Sequence, residues 1–313
     1  MANVLLAHPN IVDAATLSGG SWQAPLNNLL DRRLAKLARS ASTAKADTQF
    51  TVDLGVGKLI NVIALVRHNV STQGRWRLRV SNDASFSGST TLYDSAAEND
   101  PVPPGSASLQ LNFAAQTYQV WESEWPIAWP TFYTPTALDW EADNFWSGSI
   151  PEAIRKEYPS LLLVVLSRPV SARYVRFEFD DTTNPDGYLE FGRVFLGSTW
   201  QPVKNAAYGA TFGWETDTTV RRSLGGTPYF DPKPVRRVHH FELDSLNKDE
   251  ALGRVFEMQR SAGVHKEVLV VWDKDDPINL IRQSYLARLR QLNPLAMPFF
   301  NNYSTTFETE EAT

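Results

Sequence analysis

Apolar and polar residues alternate with a period of two at Phe50-Thr-Val-Asp-Leu and again at Trp76-Arg-Leu-Arg-Val, while Ile60 to Val66 is an apolar run broken only by Asn61. A two-residue period puts one face in a core and the other in water. The stretch from Thr48 to Asp83 therefore predicts three successive β-strands, divided by turns at Gly55-Val-Gly57 and Gln73-Gly74. The middle strand, apolar on both faces, is expected to lie deepest. No helix buries Trp76, Leu78 and Val80 together while leaving Arg75, Arg77 and Arg79 in water. This stretch is the seed of an all-β sandwich.

The same reading extends along the chain. Val4 to Ala7 is read as an edge strand. Leu26, Leu29, Leu30, Leu34 and Leu37 recur at helical spacing, which predicts either a short amphipathic helix or an irregular segment carrying leucines inward. Strands are expected around Thr91–Tyr93, Leu109–Phe113, Leu161–Leu166 and Tyr174–Phe179. A turn is expected at Asn184-Pro-Asp-Gly187, followed by a closing strand over Leu189–Leu196 that returns to the N-terminal strands. Composition shifts at Gly197-Ser-Thr-Trp-Gln-Pro202, placing a boundary between a sandwich over 1–198 and a second domain over 199–313. In the second domain, strands are expected at Val235–Leu243, Glu267–Trp272, Arg282–Leu292 and Tyr303–Glu308. A single helix there is N-capped by Asn247, with Glu250 completing a capping box, a stripe of Leu252, Val255 and Phe256, and a stop at Gly263. The expected fold class is mainly β: a β-sandwich followed by a small α+β barrel or sandwich with one helix.

Composition narrows the function classes. The chain has 313 residues, formal charge -5 and a pI near 5.6, which argues against nucleic-acid binding. With no cysteine, disulfides and thiolate metal sites are excluded. The longest apolar run, Leu161 to Leu166, is too short to cross a bilayer, so no membrane insertion is expected. The opening Met-Ala-Asn-Val-Leu-Leu-Ala-His lacks a basic leader, which predicts a protein made soluble inside the cell.

Candidate chemistry is sparse. His8, His68, His239, His240 and His265 are scattered without metal-ligand spacing and are read as structural or surface residues. No nucleophile elbow or phosphate-binding glycine loop occurs, and no cofactor, metal or catalytic residue is expected. Asp180, Asp181 and Asp186 beside Gly187 allow a calcium loop, although an acidic hairpin turn explains them better.

Residues 121–146 carry half of the ten tryptophans, within an insertion of about 114–160. Trp121, Trp125, Trp129, Trp140 and Trp146, with Tyr133 and the carboxylate of Asp143, suit either a glycan cleft or a buried or partner-facing aromatic surface, the second being favoured. Paired carboxylates here also allow glycoside hydrolysis, but nothing sets their separation and an enzyme is not expected.

Phe50-Thr-Val-Asp-Leu-Gly, Ile60 to Ser71, Trp76 to Ser81, Ala172 to Phe179 and Glu190 to Gly197 together resemble the galactose-binding-like (discoidin-type) jelly roll. Trp200-Gln-Pro, Tyr208-Gly, Arg222-Ser-Leu-Gly-Gly, Gln259-Arg-Ser-Ala-Gly and Tyr303 to Glu311 resemble distal-tail or baseplate proteins of long-tailed bacteriophages. That resemblance implies a structural, non-enzymatic virion component assembled in the host cytoplasm. It further implies copies joined in a trimeric or hexameric ring, with tube, hub and fibre proteins as partners and a host surface glycan as a further contact. The expected joint between copies is carried by Val235, Val238, Phe241, Tyr303 and Phe307, on strands taken to be exposed.

Overall fold

The computed structural model describes residues 3–71, 74–94, 109–112, 158–274 and 280–313. The architecture is mainly β. Its strands are β1 (Leu5–Ala7), β2 (Thr16–Ser18), β3 (Trp22–Ala24), β4 (Ala38–Ser40), β5 (Phe50–His68), β6 (Arg75–Ser81), β7 (Thr90–Asp94), β8 (Leu109–Asn112), β9 (Leu161–Asp180) and β10 (Glu190–Gly197). There follow β11 (Thr199–Trp200), β12 (Thr211–Thr216), β13 (Thr219–Arg222), β14 (Pro228–Asp231), β15 (Val235–Leu246), β16 (Glu267–Val271), β17 (Ser284–Leu289), β18 (Ala296–Phe299) and β19 (Asn302–Glu311).

A nine-stranded sheet runs β3-β4-β10-β5-β9-β6-β7, with β2 added to β5 and β8 to β9. An eight-stranded sheet runs β11-β1-β16-β17-β19-β15-β12, with β18 added to β19. Among the described residues, β13 and β14 pair only with each other.

Three apolar cores explain the hydrophobic pattern. Ile63 and Leu65 of β5, with Leu162 and Val164 of β9, enter the first core beside Phe50, Trp76, Phe177 and Phe191. Their neighbours Val62, Ala64, Leu161, Leu163 and Val165 enter a second core, shared with Leu5, Leu269, Val271 and Leu286 of the other sheet. The uninterrupted apolar runs at 62–66 and 161–166 therefore belong to strands packed on both faces. In β16, Val268 and Val270 turn away into a third core with Phe241, Val255 and Phe307.

Several expectations need correction. The first two predicted strands are one: β5 runs through Gly55–Gly57, where the register against β9 shifts between Asp53 and Lys58. Gly55 takes a φ of +75°, so the strand bends there instead of reversing. Val4 to Ala7 is not at an edge: β1 lies between β11 and β16, and its alternate residues fill the second and third cores. The leucine-rich segment is a short 3-10 turn, Leu26–Leu30, followed by irregular chain that carries Leu26, Leu29 and Leu34 inward. Residues 280–283 form a helical turn, and only Ser284–Leu289 of the expected strand pairs.

Helix α1 (248–262) has the expected capping box: Asn247 Oδ1 accepts from Glu250 N at 2.9 Å, and Glu250 Oε2 from Asn247 N at 3.3 Å. Its buried stripe is Ala251, Val255, Met258 and Ala262, an ordinary i, i+4, i+7, i+11 helical face, although the turn over Ala251–Phe256 is π-helical. Leu252 and Phe256 are therefore exposed rather than core. Gly263 ends the helix with a φ of +54°.

Candidate functional site

The most distinctive surface is a β-ribbon. After the Thr216–Val235 pair, which closes β12 against β15, the chain leaves the eight-stranded sheet and folds back on itself as β13 and β14. Gly226, with a φ of +83°, donates to Ser223 O at 2.9 Å and makes the turn. Every residue of the two strands is exposed, including Val220, Tyr229 and Phe230, and Leu224 at the tip is fully exposed. Val220 sits opposite Phe230 and Arg222 opposite Pro228, so one face of the ribbon combines an apolar pair with a cation, while Arg221 and Tyr229 share the other. Arg221 and Arg222 have no carboxylate partner among the described residues, whereas Arg236 at the base is held by Asp217.

The ribbon is rooted in an aromatic cluster. Phe212 lies edge-on to His239 (4.5 Å between centroids) and Trp272 (4.9 Å), and His239 lies edge-on to Tyr285 at 4.7 Å. Burial, reinforced by the Arg237 charge, pushes the His239 pKa down to about 3, so its imidazole is neutral. Arg237 is itself buried, bound bidentately to Glu311 and donating to Ile281 O at 2.6 Å.

A second apolar protrusion is the β18–β19 hairpin. Met297, Phe299 and Phe300 are exposed, the last almost completely, and the two-residue turn uses Asn301 with a φ of +57°.

At the β3-β4-β10 side of the nine-stranded sheet, an open cleft of about 260 Å³ is lined by Gln23, Ala24, Ala35, Leu37, Arg39 and Glu190. Arg39 donates from Nε to Glu190 Oε1 at 2.7 Å, and its guanidinium lies 4.2 Å from the centre of the Tyr188 ring. Arg39 therefore presents a fixed planar cation and Glu190 an acceptor, both beside apolar wall.

The residues expected to join copies divide sharply. Val235 is exposed, whereas Phe241 and Phe307 are buried, stacked at 5.4 Å in the third core. Those two are packing residues, because the inward face of β15 and β19 is covered by α1. Val238 and Tyr303 are partly buried. The aromatic residues Trp121, Trp125, Trp129, Trp140, Trp146 and Tyr133, together with Asp143, lie outside the described residues. The exposed ribbon was missed as a feature, although its cue is present: Thr-Val-Arg-Arg and Pro-Tyr-Phe-Asp flank a Gly-Gly turn with no apolar periodicity to seat them.

The other candidates have local explanations. His8 binds Glu267 O and Ser261 Oγ at 2.9 and 3.0 Å, and burial lowers its pKa. Consecutive His239 and His240 face opposite sides, one buried and one exposed. Asp181 is buried, accepting from Ser71 N, Ser71 Oγ and Asn184 Nδ2 at 2.6–2.8 Å. No group of three potential metal ligands occurs among the described residues.

No protein-family model matches the chain, and no curated protein matches it. Among solved structures it is similar to CBM32-1 from a family 31 glycoside hydrolase of Clostridium perfringens, with 12% identity, coverage of 60% of this chain and 97% of that one, and a TM-score of 0.35. It is also similar to the family 32 CBM from C. perfringens NanJ in complex with galactose, with 11% identity, 62% and 99% coverage and a TM-score of 0.33. A third is CpGH89CBM32-4 of the same organism in complex with glcNAc-alpha-1,4-galactose, with 12% identity, 61% and 94% coverage and a TM-score of 0.34. Likeness at this level transfers neither ligand nor activity.

Proposed function

We propose that this chain is a binding and assembly protein rather than a catalyst, whose second sandwich joins copies of itself. The observation that carries this reading is the β13–β14 ribbon. An isolated two-stranded hairpin is at best marginally stable in water, and this one exposes Val220, Leu224, Tyr229 and Phe230 with no sheet beneath it among the described residues. Such a ribbon gains its burial from another chain. At the finer level, we read the protein as a structural component of a bacteriophage tail tip or baseplate. In that setting a ring of this chain, together with tube, hub and fibre proteins, stands at the tail end. Electron microscopy of the purified chain tests this: closed rings are expected. A monodisperse monomer that no tail preparation incorporates overturns it.

A second reading, favoured by the cleft over Arg39 and Glu190, is carbohydrate binding by the first sandwich. The cleft is of sugar-ring size; its Arg39–Glu190 ion pair offers hydrogen bonds, and Ala24, Ala35 and Leu37 offer the apolar wall that such a ligand uses. A glycan array probed with wild type and with Arg39→Ala decides it: binding lost in the variant supports the reading, and a blank array removes it.

A further inference from the structure

The two apolar protrusions leave the eight-stranded sheet at opposite ends of one strand. The ribbon departs beyond Val235, the first residue of β15, where Thr216 pairs with it. The β18–β19 hairpin lies at the other end, where Tyr303 pairs with Leu246, the last residue of β15. Twelve strand residues separate them, about 40 Å at the usual rise. The excursion 217–234, folded as a hairpin, reaches only about 30 Å even when fully extended. A chain therefore cannot cover its own hairpin with its own ribbon.

The charges differ as well. The ribbon carries Arg221 and Arg222 without carboxylate partners among the described residues. Around the far end stand exposed Glu242, Asp244 and Asp249, with no cationic partner among the described residues. Asp244 adjoins the hairpin directly, since its carbonyl accepts from Asn302 Nδ2 at 3.1 Å.

We propose that the β13–β14 ribbon of one copy docks head-to-tail on the β18–β19 hairpin of the next, Leu224 and Phe230 against Phe299 and Phe300, with Arg222, on the Phe230 face, turned toward Asp244 and Glu242 and Arg221 adding charge from the opposite face. The two patches differ, so the contact is heterologous and propagates into a ring or an open filament, not a two-fold dimer. Charge complementarity sets the register and the apolar residues supply the burial. This proposal rests on the assembly reading and names its joint.

The absence of cysteine makes the test clean. Leu224→Cys and Phe300→Cys are prepared as separate full-length proteins and treated with a short bismaleimide, singly and mixed. The mixture is expected to give a covalent dimer and each single variant almost none; the double variant is expected to give a ladder ending at the ring size. Leu224→Cys linking to itself as readily as to Phe300→Cys overturns the head-to-tail contact, as does an unlinked mixture when wild type is oligomeric. A wild type that is monomeric by light scattering removes the assembly reading itself. Charge reversal gives an independent readout. Arg221→Glu with Arg222→Glu should weaken association about tenfold or more, and adding Glu242→Arg with Asp244→Arg should restore it. Failure to restore, with every variant folded by circular dichroism, counts against the charge register.

Discussion

Arg193 is the test of how the two sheets are locked. Its side chain is fully buried between them, on β10, and reaches Glu267 on β16 through Nε at 3.0 Å to both carboxylate oxygens and through a terminal nitrogen at 2.9 Å. Leu29 O accepts from it at 3.2 Å, and Asp13, about one-third exposed, takes the other side. Asn10 bridges the same group, donating to Val194 O at 3.0 Å and to Glu267 at 3.4 Å. Glu267→Gln keeps the shape and removes the charge. It leaves a dry guanidinium balanced only by a half-solvated carboxylate, and breaking a buried pair this way costs about 3–5 kcal/mol. The double variant Arg193→Met/Glu267→Leu removes both charges from an apolar layer, and should lie within about 1 kcal/mol of wild type or above it, since such replacements are often neutral or stabilising. Urea unfolding followed by tryptophan fluorescence, with an unchanged m-value, measures Glu267→Gln and the four corners of the cycle, which are wild type, Arg193→Met, Glu267→Leu and the double variant. A loss below about 1 kcal/mol for Glu267→Gln, or single losses that simply add in the double variant, would refute the argument that the pair is held by mutual need.

Three further outcomes are expected. His239 is neutral when folded, with a pKa near 3 against 6.5 for the free side chain, so the unfolded chain binds the extra proton between those values. Its contribution is present above pH 6.5 and declines as pH falls towards 3, by up to about 1.4 kcal/mol per pH unit; unfolding curves across this window should flatten in His239→Phe, and an unchanged slope contradicts the assignment. Asn247→Ala removes the side-chain half of the capping box and should cost about 1 kcal/mol by denaturant titration. Gly20→Ala should be far worse, because an added Cβ would lie 2.5 Å from Asp47 O and 2.6 Å from Gln49 O, at a φ of +66°; wild-type expression and melting would sink that expectation.

What was legible in the sequence was what depends on one strand at a time. The period-two runs at Phe50–Leu54 and Trp76–Val80, the Asn247 cap and the Asn184–Gly187 turn each follow from local chemistry, and each is present. What failed depends on the partner. Phe241 and Phe307 read as exposed joints because nothing in β15 or β19 says that α1 covers their inner face. Leu252 and Phe256 read as core because they neighbour Val255 on the helix surface, but the buried face runs on the other side of Val255, through Ala251, Met258 and Ala262. Val4–Ala7 read as an edge because its second neighbour, β11, begins some 190 residues later. The ribbon was illegible for the opposite reason: it has no core to impose a period, and only its lack of seating marks it.

That dependence on remote partners has a thermodynamic consequence. Alternate residues of β5 and β9 serve different cores, Ile63 and Leu65 the first, Val62 and Ala64 the second. The second core is completed by Leu269, Val271 and Leu286 from the far sheet, which is itself completed by the N-terminal β1. Neither sheet can lose its partner without stripping one face of strands that the other needs. The two sheets should therefore unfold in a single transition even though the chain exceeds the size at which two-state behaviour is usual. Leu163→Ala, which opens a cavity in the shared layer, should cost about 2–5 kcal/mol and lower the midpoint seen by far-ultraviolet dichroism and by tryptophan emission equally. Two resolved midpoints, or a calorimetric enthalpy well above the van't Hoff value, would mean that the shared layer is a docking face and not a common core.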